Sequence, residues 1–142
     1  MHYKELGVYR LAVELRKGVV AESKTWPKEE RYALTDQARR SSRSVSANLA
    51  EAWAKQRYPK HFVSKLTDAL GEVEETVVWL DTALECGYLT EGVHRPLSET
   101  CGRIAGGLVK MMRHPEQWLR HPEQWRGPAT LVREDQQLYV SN

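Results

Sequence analysis

Apolar residues recur at three-to-four-residue spacing along four stretches of this chain, the rhythm of amphipathic helices, and no stretch carries a strand signal. The first stretch, from about Lys4 to Lys24, holds Leu6, Tyr9, Ala12, Val13, Leu15, Val19 and Val20 on one broad stripe, weakened locally by Gly7 and Gly18 and ended by Thr25-Trp26-Pro27. Trp26 is expected to close the end of the core. The second runs from about Thr35 to Arg57, and a 100° wheel gathers Leu34, Ala38, Val45, Leu49 and Ala52 into one narrow sector. The third, from about Lys60 to Glu85, is the most regular: Phe62, Leu66, Ala69, Leu70, Val73, Val77, Leu80 and Leu84 approach a heptad seam. Gly87 follows it, where a helix C-terminus favours glycine. The fourth, from about Thr90 to Arg113, carries Val93, Leu97, Cys101, Ile104, Leu108 and Met111 behind a Thr90 N-cap. Pro96 is expected to kink its start or delay it to about Arg95. Gly102, Gly106 and Gly107 weaken this helix and permit close packing.

Four such helices with short connections predict an all-α, antiparallel up-down-up-down four-helix bundle over residues 1–113. Residues 114–142 form an irregular C-terminal tail, in which HPEQW occurs twice, at 114–118 and 121–125. Pro115, Pro122 and Pro128 rule out one continuous helix there. Short turns or disorder are expected, with Trp118 and Trp125 docking on the bundle or on a neighbouring subunit.

Charge changes the picture more than composition does. The chain is only +2 overall. Yet residues 35–65 hold seven Lys/Arg against two acids, whereas residues 66–100 hold eight acids against Arg95 alone. Such segregation favours a polyanion on one side, or self-association of unlike faces. Arg39, Arg43 and Arg57 fall opposite the core sector of the second helix, with Arg40 on the flank and the small residues Ser46, Ala47, Ala50 and Ala54 sharing that far sector. This face is either solvated or a contact for nucleic acid or protein. Asn48 and Glu51 border the core sector, where a polar residue sets register within the bundle or meets a partner.

The search for reaction chemistry returns little. One Glu-x-x-His, Glu91 to His94, lacks the second copy that a di-metal bundle needs. The five His show no zinc spacing, and no phosphate-cradling or nucleophile-elbow motif is present. Ser41, Ser42, Ser44 and Ser46 read as surface or small packing residues on a helix. No enzyme, metal or cofactor is expected. Cys86 and Cys101 form no CxxC and read as plain thiols of a reducing compartment. No apolar run approaches the roughly 18 to 20 residues of a membrane span, and the N-terminus lacks a signal-peptide core, so a cytoplasmic protein is expected.

A family resemblance rests on Leu6, Val8, Tyr9 and Ala12, on Trp26-Pro27-Lys28-Glu29-Glu30-Arg31-Tyr32 with Leu34 and Thr35, and on Gln37, Arg39, Arg40, Ser44, Val45, Ala47, Asn48, Leu49, Ala50 and Glu51. It resumes at Phe62, Leu66, Ala69, Leu70, Gly71, Glu72 and Glu74 and ends near Gly87-Tyr88-Leu89. In these residues the chain resembles the four-helix-bundle proteins encoded in intervening sequences of bacterial 23S rRNA genes, also described as ribosomal-protein-like. Ser46 and Ala52 depart from it, standing where the family commonly has Pro and Gly. The tail has no counterpart. The resemblance implies a homo-oligomer, a ring-like pentamer, and a relation to accessory proteins of diversity-generating retroelements that bind nucleic acid through basic faces. The first expectation is therefore a non-enzymatic oligomer binding RNA or ribosome-associated nucleic acid through Arg39, Arg40, Arg43, Lys55, Arg57 and Lys60, with Tyr58 placed to stack on an unpaired base. The alternative is a self-assembling structural or adaptor module that binds protein partners. In it the basic helix of one subunit meets Asp68, Glu72 and Glu75 on the next, or Trp118 and Trp125 anchor a partner.

Overall fold

A computed structural model describes residues 1–126, so the tail from 127 to 142 lies outside the described residues. Four helices carry the fold: α1 Gly7–Ser23, α2 Leu34–Ala54, α3 Pro59–Glu85 and α4 Glu91–Arg113. Short 3-10 turns occupy Tyr3–Glu5, Lys28–Glu30, Pro115–Gln117 and Pro122–Gln124. Among the described residues there is no strand. Each helix packs on two neighbours, α1 on α2, α2 on α3, α3 on α4 and α4 back on α1. With short connections this is the expected up-down-up-down bundle.

Helix boundaries follow local chemistry. The first helix starts later than its periodicity suggests. The Glu5 carboxylate accepts the His2 backbone N–H at 2.9 Å and His2 Nδ1 accepts that of Lys4 at 3.3 Å, which closes Tyr3–Glu5 as a separate turn. Leu6 then leaves helical geometry and is buried. α2 ends three residues before Arg57. Tyr58 precedes Pro59, where α conformation is disfavoured, and adopts φ −122°, ψ 89°. Pro59 itself opens α3 at a position that needs no N–H.

α3 ends in a Schellman motif: Tyr88 N–H donates to Ala83 O at 2.8 Å and Gly87 N–H to Leu84 O at 3.0 Å, with Gly87 at φ +76°. Thr90 caps α4, its Oγ1 accepting from Val93 N–H at 3.3 Å. Pro96 lies inside α4, which begins at Glu91 and is not delayed to Arg95.

The α3 seam is a strict heptad alternation of Phe62, Leu66, Ala69, Val73, Thr76, Leu80 and Ala83, all buried. Leu70, Val77 and Leu84, expected in it, lie one position further along and are half-buried. Thr76 occupies a core position because its hydroxyl is satisfied: Oγ1 lies 2.8 Å from Ser41 Oγ and 2.8 Å from Glu72 O, and Ser41 donates in turn to Ala38 O at 3.3 Å. Ser41, Ser42 and Ser46 are buried on α2, where a small side chain lets a neighbouring helix approach. Ser46 therefore does not share the exposed arginine face.

At one end of the bundle Trp26 is buried and packs 6.2 Å from the Tyr88 ring, closing the core as expected. Beyond α4 the chain folds back: Pro115 and Leu119 are buried, and Trp118 and Trp125 pack half-buried against the core. The two HPEQW copies repeat one backbone motif, Trp118 N–H to Pro115 O at 2.9 Å and Trp125 N–H to Pro122 O at 3.1 Å.

Candidate nucleic-acid interface

The six cations proposed from sequence divide into two groups. Arg39 and Arg40 are turned onto the bundle. Arg39 Nε donates to Ser23 Oγ of α1 at 2.8 Å. Arg40 reaches α3, pairing with Glu72 at 3.5 Å and more closely with Glu75. Trp79 Nε1 also donates to Glu75, at 3.2 Å. The hydrogen bond to Glu75 raises the Arg40 pKa, and the same bond holds the Glu75 carboxyl below its ordinary value. Glu72 shifts the other way, because burial outweighs its attraction to Arg40. Glu75 is thus the closer partner of Arg40, and Glu72 the longer and more buried one.

Lys65 makes a second tie between α2 and α3, to Glu51 at 2.8 Å, and holds Asp68 at 3.6 Å on its own helix. Its pKa is raised, first by the hydrogen bond to Glu51. The acids expected at a subunit interface, Asp68, Glu72 and Glu75, all therefore have cationic partners within this chain. Asn48 donates to Ser44 O on its own helix at 2.9 Å.

Arg43, Lys55, Arg57 and Lys60 are exposed, and none has an ion-pair partner among the described residues. Three of them crowd the α2–α3 corner. Tyr58, 56% exposed, stands there edge-on to His61 with ring centroids 6.1 Å apart. The corner gains a cation that spacing could not reveal. Gln56 Nε2 donates to Trp118 O at 2.7 Å and Gln56 O accepts from Arg120 N–H at 3.2 Å, which brings Arg120 to the end of α2. The sequence signal was the apolar-to-charged step from Leu119 to Arg120 after a docking tryptophan, legible only once the fold-back is known.

Elsewhere a histidine, an aspartate and a serine come together. His94 Nε2 lies 2.8 Å from Asp81 Oδ1 and 3.2 Å from Ser98 Oγ. Ser98 Oγ is also 3.5 Å from Nδ1, but its nearer contact is to the nitrogen that Asp81 holds, whereas a serine–histidine–aspartate relay puts the two partners on opposite nitrogens. The group ties α3 to α4. Among the described residues no cluster of three or more His, Cys, Asp or Glu is placed to hold a metal ion. Cys86 is exposed, and Cys101 is buried with its thiol pushed up to about 12 by loss of solvation. No helix among the described residues is long and apolar enough to cross a membrane.

Fold and surface define an all-α bundle with a cluster of exposed cations at the α2–α3 corner. The chain belongs to the 23S rRNA-intervening sequence protein family, whose model matches residues 4–110. It is also similar to a crystal structure of a protein of unknown function from the S23 ribosomal protein family of Bacteroides thetaiotaomicron VPI-5482. The two share 26% identity, with a TM-score of 0.68 over 75% of this chain and 95% of that one. No curated protein matches the sequence.

Proposed function

We propose that this protein is a non-enzymatic, self-associating bundle that binds RNA through the exposed cations of α2 and of the α2–α3 corner. The observation that carries the reading is the contrast within the basic half of the chain. Arg39, Arg40 and Lys65 are consumed by internal bonds, whereas Arg43, Lys55, Arg57 and Lys60 face solvent without carboxylate partners among the described residues. Unpaired cations beside an exposed Tyr58 suit a phosphate backbone with an accessible base. Recognition is by backbone and shape, since no element here resembles a major-groove reading head. Membership of a family encoded within 23S rRNA genes supports RNA as the polyanion.

Self-association is supported by apolar surface left on the bundle, Val78 at 53% and Tyr32 at 82% exposed. Charge complementarity between subunits has less to work with, because Asp68, Glu72 and Glu75 have cationic partners at home.

The test is binding of labelled structured RNA across a salt series, with light scattering run in parallel. Submicromolar binding is expected, weakening steeply as salt rises. Arg43→Glu with Lys60→Glu should lower the slope of log affinity against log salt by about 1.4 to 1.8, two phosphate contacts at about 0.7 to 0.9 each, without changing the assembly state. Absence of binding at about 50 mM salt, where phosphate contacts are strongest, would end the RNA reading. A self-associating module for protein partners would then remain.

A further inference from the structure

The fold-back of the tail builds a cleft at the C-terminal end of α2. Its volume is about 330 Å³, and its walls include His2, Tyr3, Trp53, Gln56, Arg57 and Arg120. That is near the lower end of the roughly 300 to 1,000 Å³ typical of small-ligand sites, room for one nucleotide and not for a helix. The lining combines two kinds of side chain that an unpaired nucleotide needs, aromatic rings for the base and guanidinium groups for the phosphate.

These groups are positioned by bonds already described. Gln56 holds the tail through both its side chain and its carbonyl, which places Arg120 on the same wall as Arg57. The Tyr3 ring is braced, edge-on to Tyr9 at 5.1 Å and tilted against His2 at 4.3 Å. Glu5, the acid next along from Tyr3, is occupied in capping His2 N–H. The carbonyl end of α2 repels an anion. A phosphate here therefore needs more than one cation, and the cleft has two guanidinium groups in place.

We propose that this cleft captures one unpaired nucleotide of an RNA strand, its base against Tyr3 and Trp53 and its phosphate at Arg57 and Arg120. The proposal deepens the RNA-binding reading and rests on it, and it adds to the corner a cleft that shares Arg57 and Arg120 with it. Arg120 lies beyond the residues matched by the family model, so the site is peculiar to chains with this tail.

The experiment uses the full chain with its indole nitrogens isotopically labelled, the Trp53 resonance being assigned with Trp53→Phe. A uridine hexanucleotide is expected to shift that resonance saturably, and a fully paired RNA duplex of equal length is not. Arg120→Ala should lower the salt slope of hexanucleotide binding by about 0.7, one single-strand phosphate contact. Tyr3→Leu should weaken the hexanucleotide about tenfold while Tyr3→Phe retains binding, as stacking on the ring requires.

If the Trp53 signal stays still and both variants bind the hexanucleotide as the parent does, the cleft is merely a seam between tail and bundle. That result leaves the corner intact, provided structured RNA still depends on Arg43 and Lys60. If neither RNA binds at low salt, both readings fall together.

Discussion

Where α2 meets α3, charged and hydroxyl side chains cross the boundary; where α1 meets α4, bare glycine backbone does. The first seam has Arg40 reaching Glu72 and Glu75, Lys65 reaching Glu51, and a buried contact between Thr76 and Ser41. The second has Gly107 under Val8 and Gly18 under Leu97. A Cβ on Gly107 would sit 2.3 Å from Val8 Cγ1, and one on Gly18 would sit 2.8 Å from Leu97 Cδ2. Polar ties specify which residues face one another, because a shifted register leaves them unbonded. Glycine contacts specify how near two helices come and say little about register. The bundle uses one device on each of two opposite sides.

The largest effect expected from breaking this contrast is at Gly107. Val8 is stiff at χ1 and cannot swing clear, so Gly107→Ala should cost about 1 to 2 kcal/mol even after its gain in helix propensity. Gly102→Ala, with nothing within 4 Å of the added carbon, should instead stabilise by about 0.5 to 1 kcal/mol. Urea unfolding of the two variants checks this, and changes of equal sign would mean that α1 and α4 are not in close approach.

A smaller effect is expected on the polar side. Thr76→Val should cost about 1 kcal/mol, since it strips the hydroxyl from a fully buried position. Ser41→Ala should cost less, because the Thr76 hydroxyl retains Glu72 O as an acceptor. A double-mutant cycle that finds no coupling between them would remove this contact from the seam.

The smallest effect is in the pH dependence of the ion pairs. Glu75, lowered by Arg40, contributes stability that is present above its unfolded pKa and lost as pH falls through the folded one. Glu72, raised by burial, binds its proton more readily when folded and so loses stability as pH rises through the same region. The two act in opposite directions. Glu72→Gln should therefore make the thermal midpoint fall more steeply with acid than in the parent, by an amount under about 1 kcal/mol for pairs this exposed. A variant no more acid-sensitive than the parent would show that burial does not raise Glu72.

This division also marks how far the amino-acid pattern could be read. Four helices, Gly87 past α3 and the Thr90 cap were legible because each is written in neighbouring residues. Thr76 was passed over in favour of Val77, since hydropathy cannot register a hydroxyl that has found partners on α2. The charge segregation was plain, but its use was not. Arg40 and Glu75 are far apart in sequence, and whether a cation pairs within its own chain or stays free depends on the angle at which two helices meet. Glycine was ambiguous for the same reason: Gly102 and Gly107 look alike until Val8 is found beside one of them.

The paired HPEQW segments carry a last consequence, for how such a chain can change. Both copies make the same turn because histidine, proline and tryptophan encode it among themselves. What surrounds them was not copied: Pro115 is buried where Pro122 is exposed, and the residue after the tryptophan is buried Leu119 in one and exposed Arg126 in the other. The second copy is thus a spare part, already shaped and not yet fitted. Loss of the first seven-residue unit in replication would slide the second into its berth with two substitutions, Arg126 in place of Leu119 and Gly127 in place of Arg120. A lineage can therefore trade an anchoring residue for a charged one in a single event without having to invent a turn.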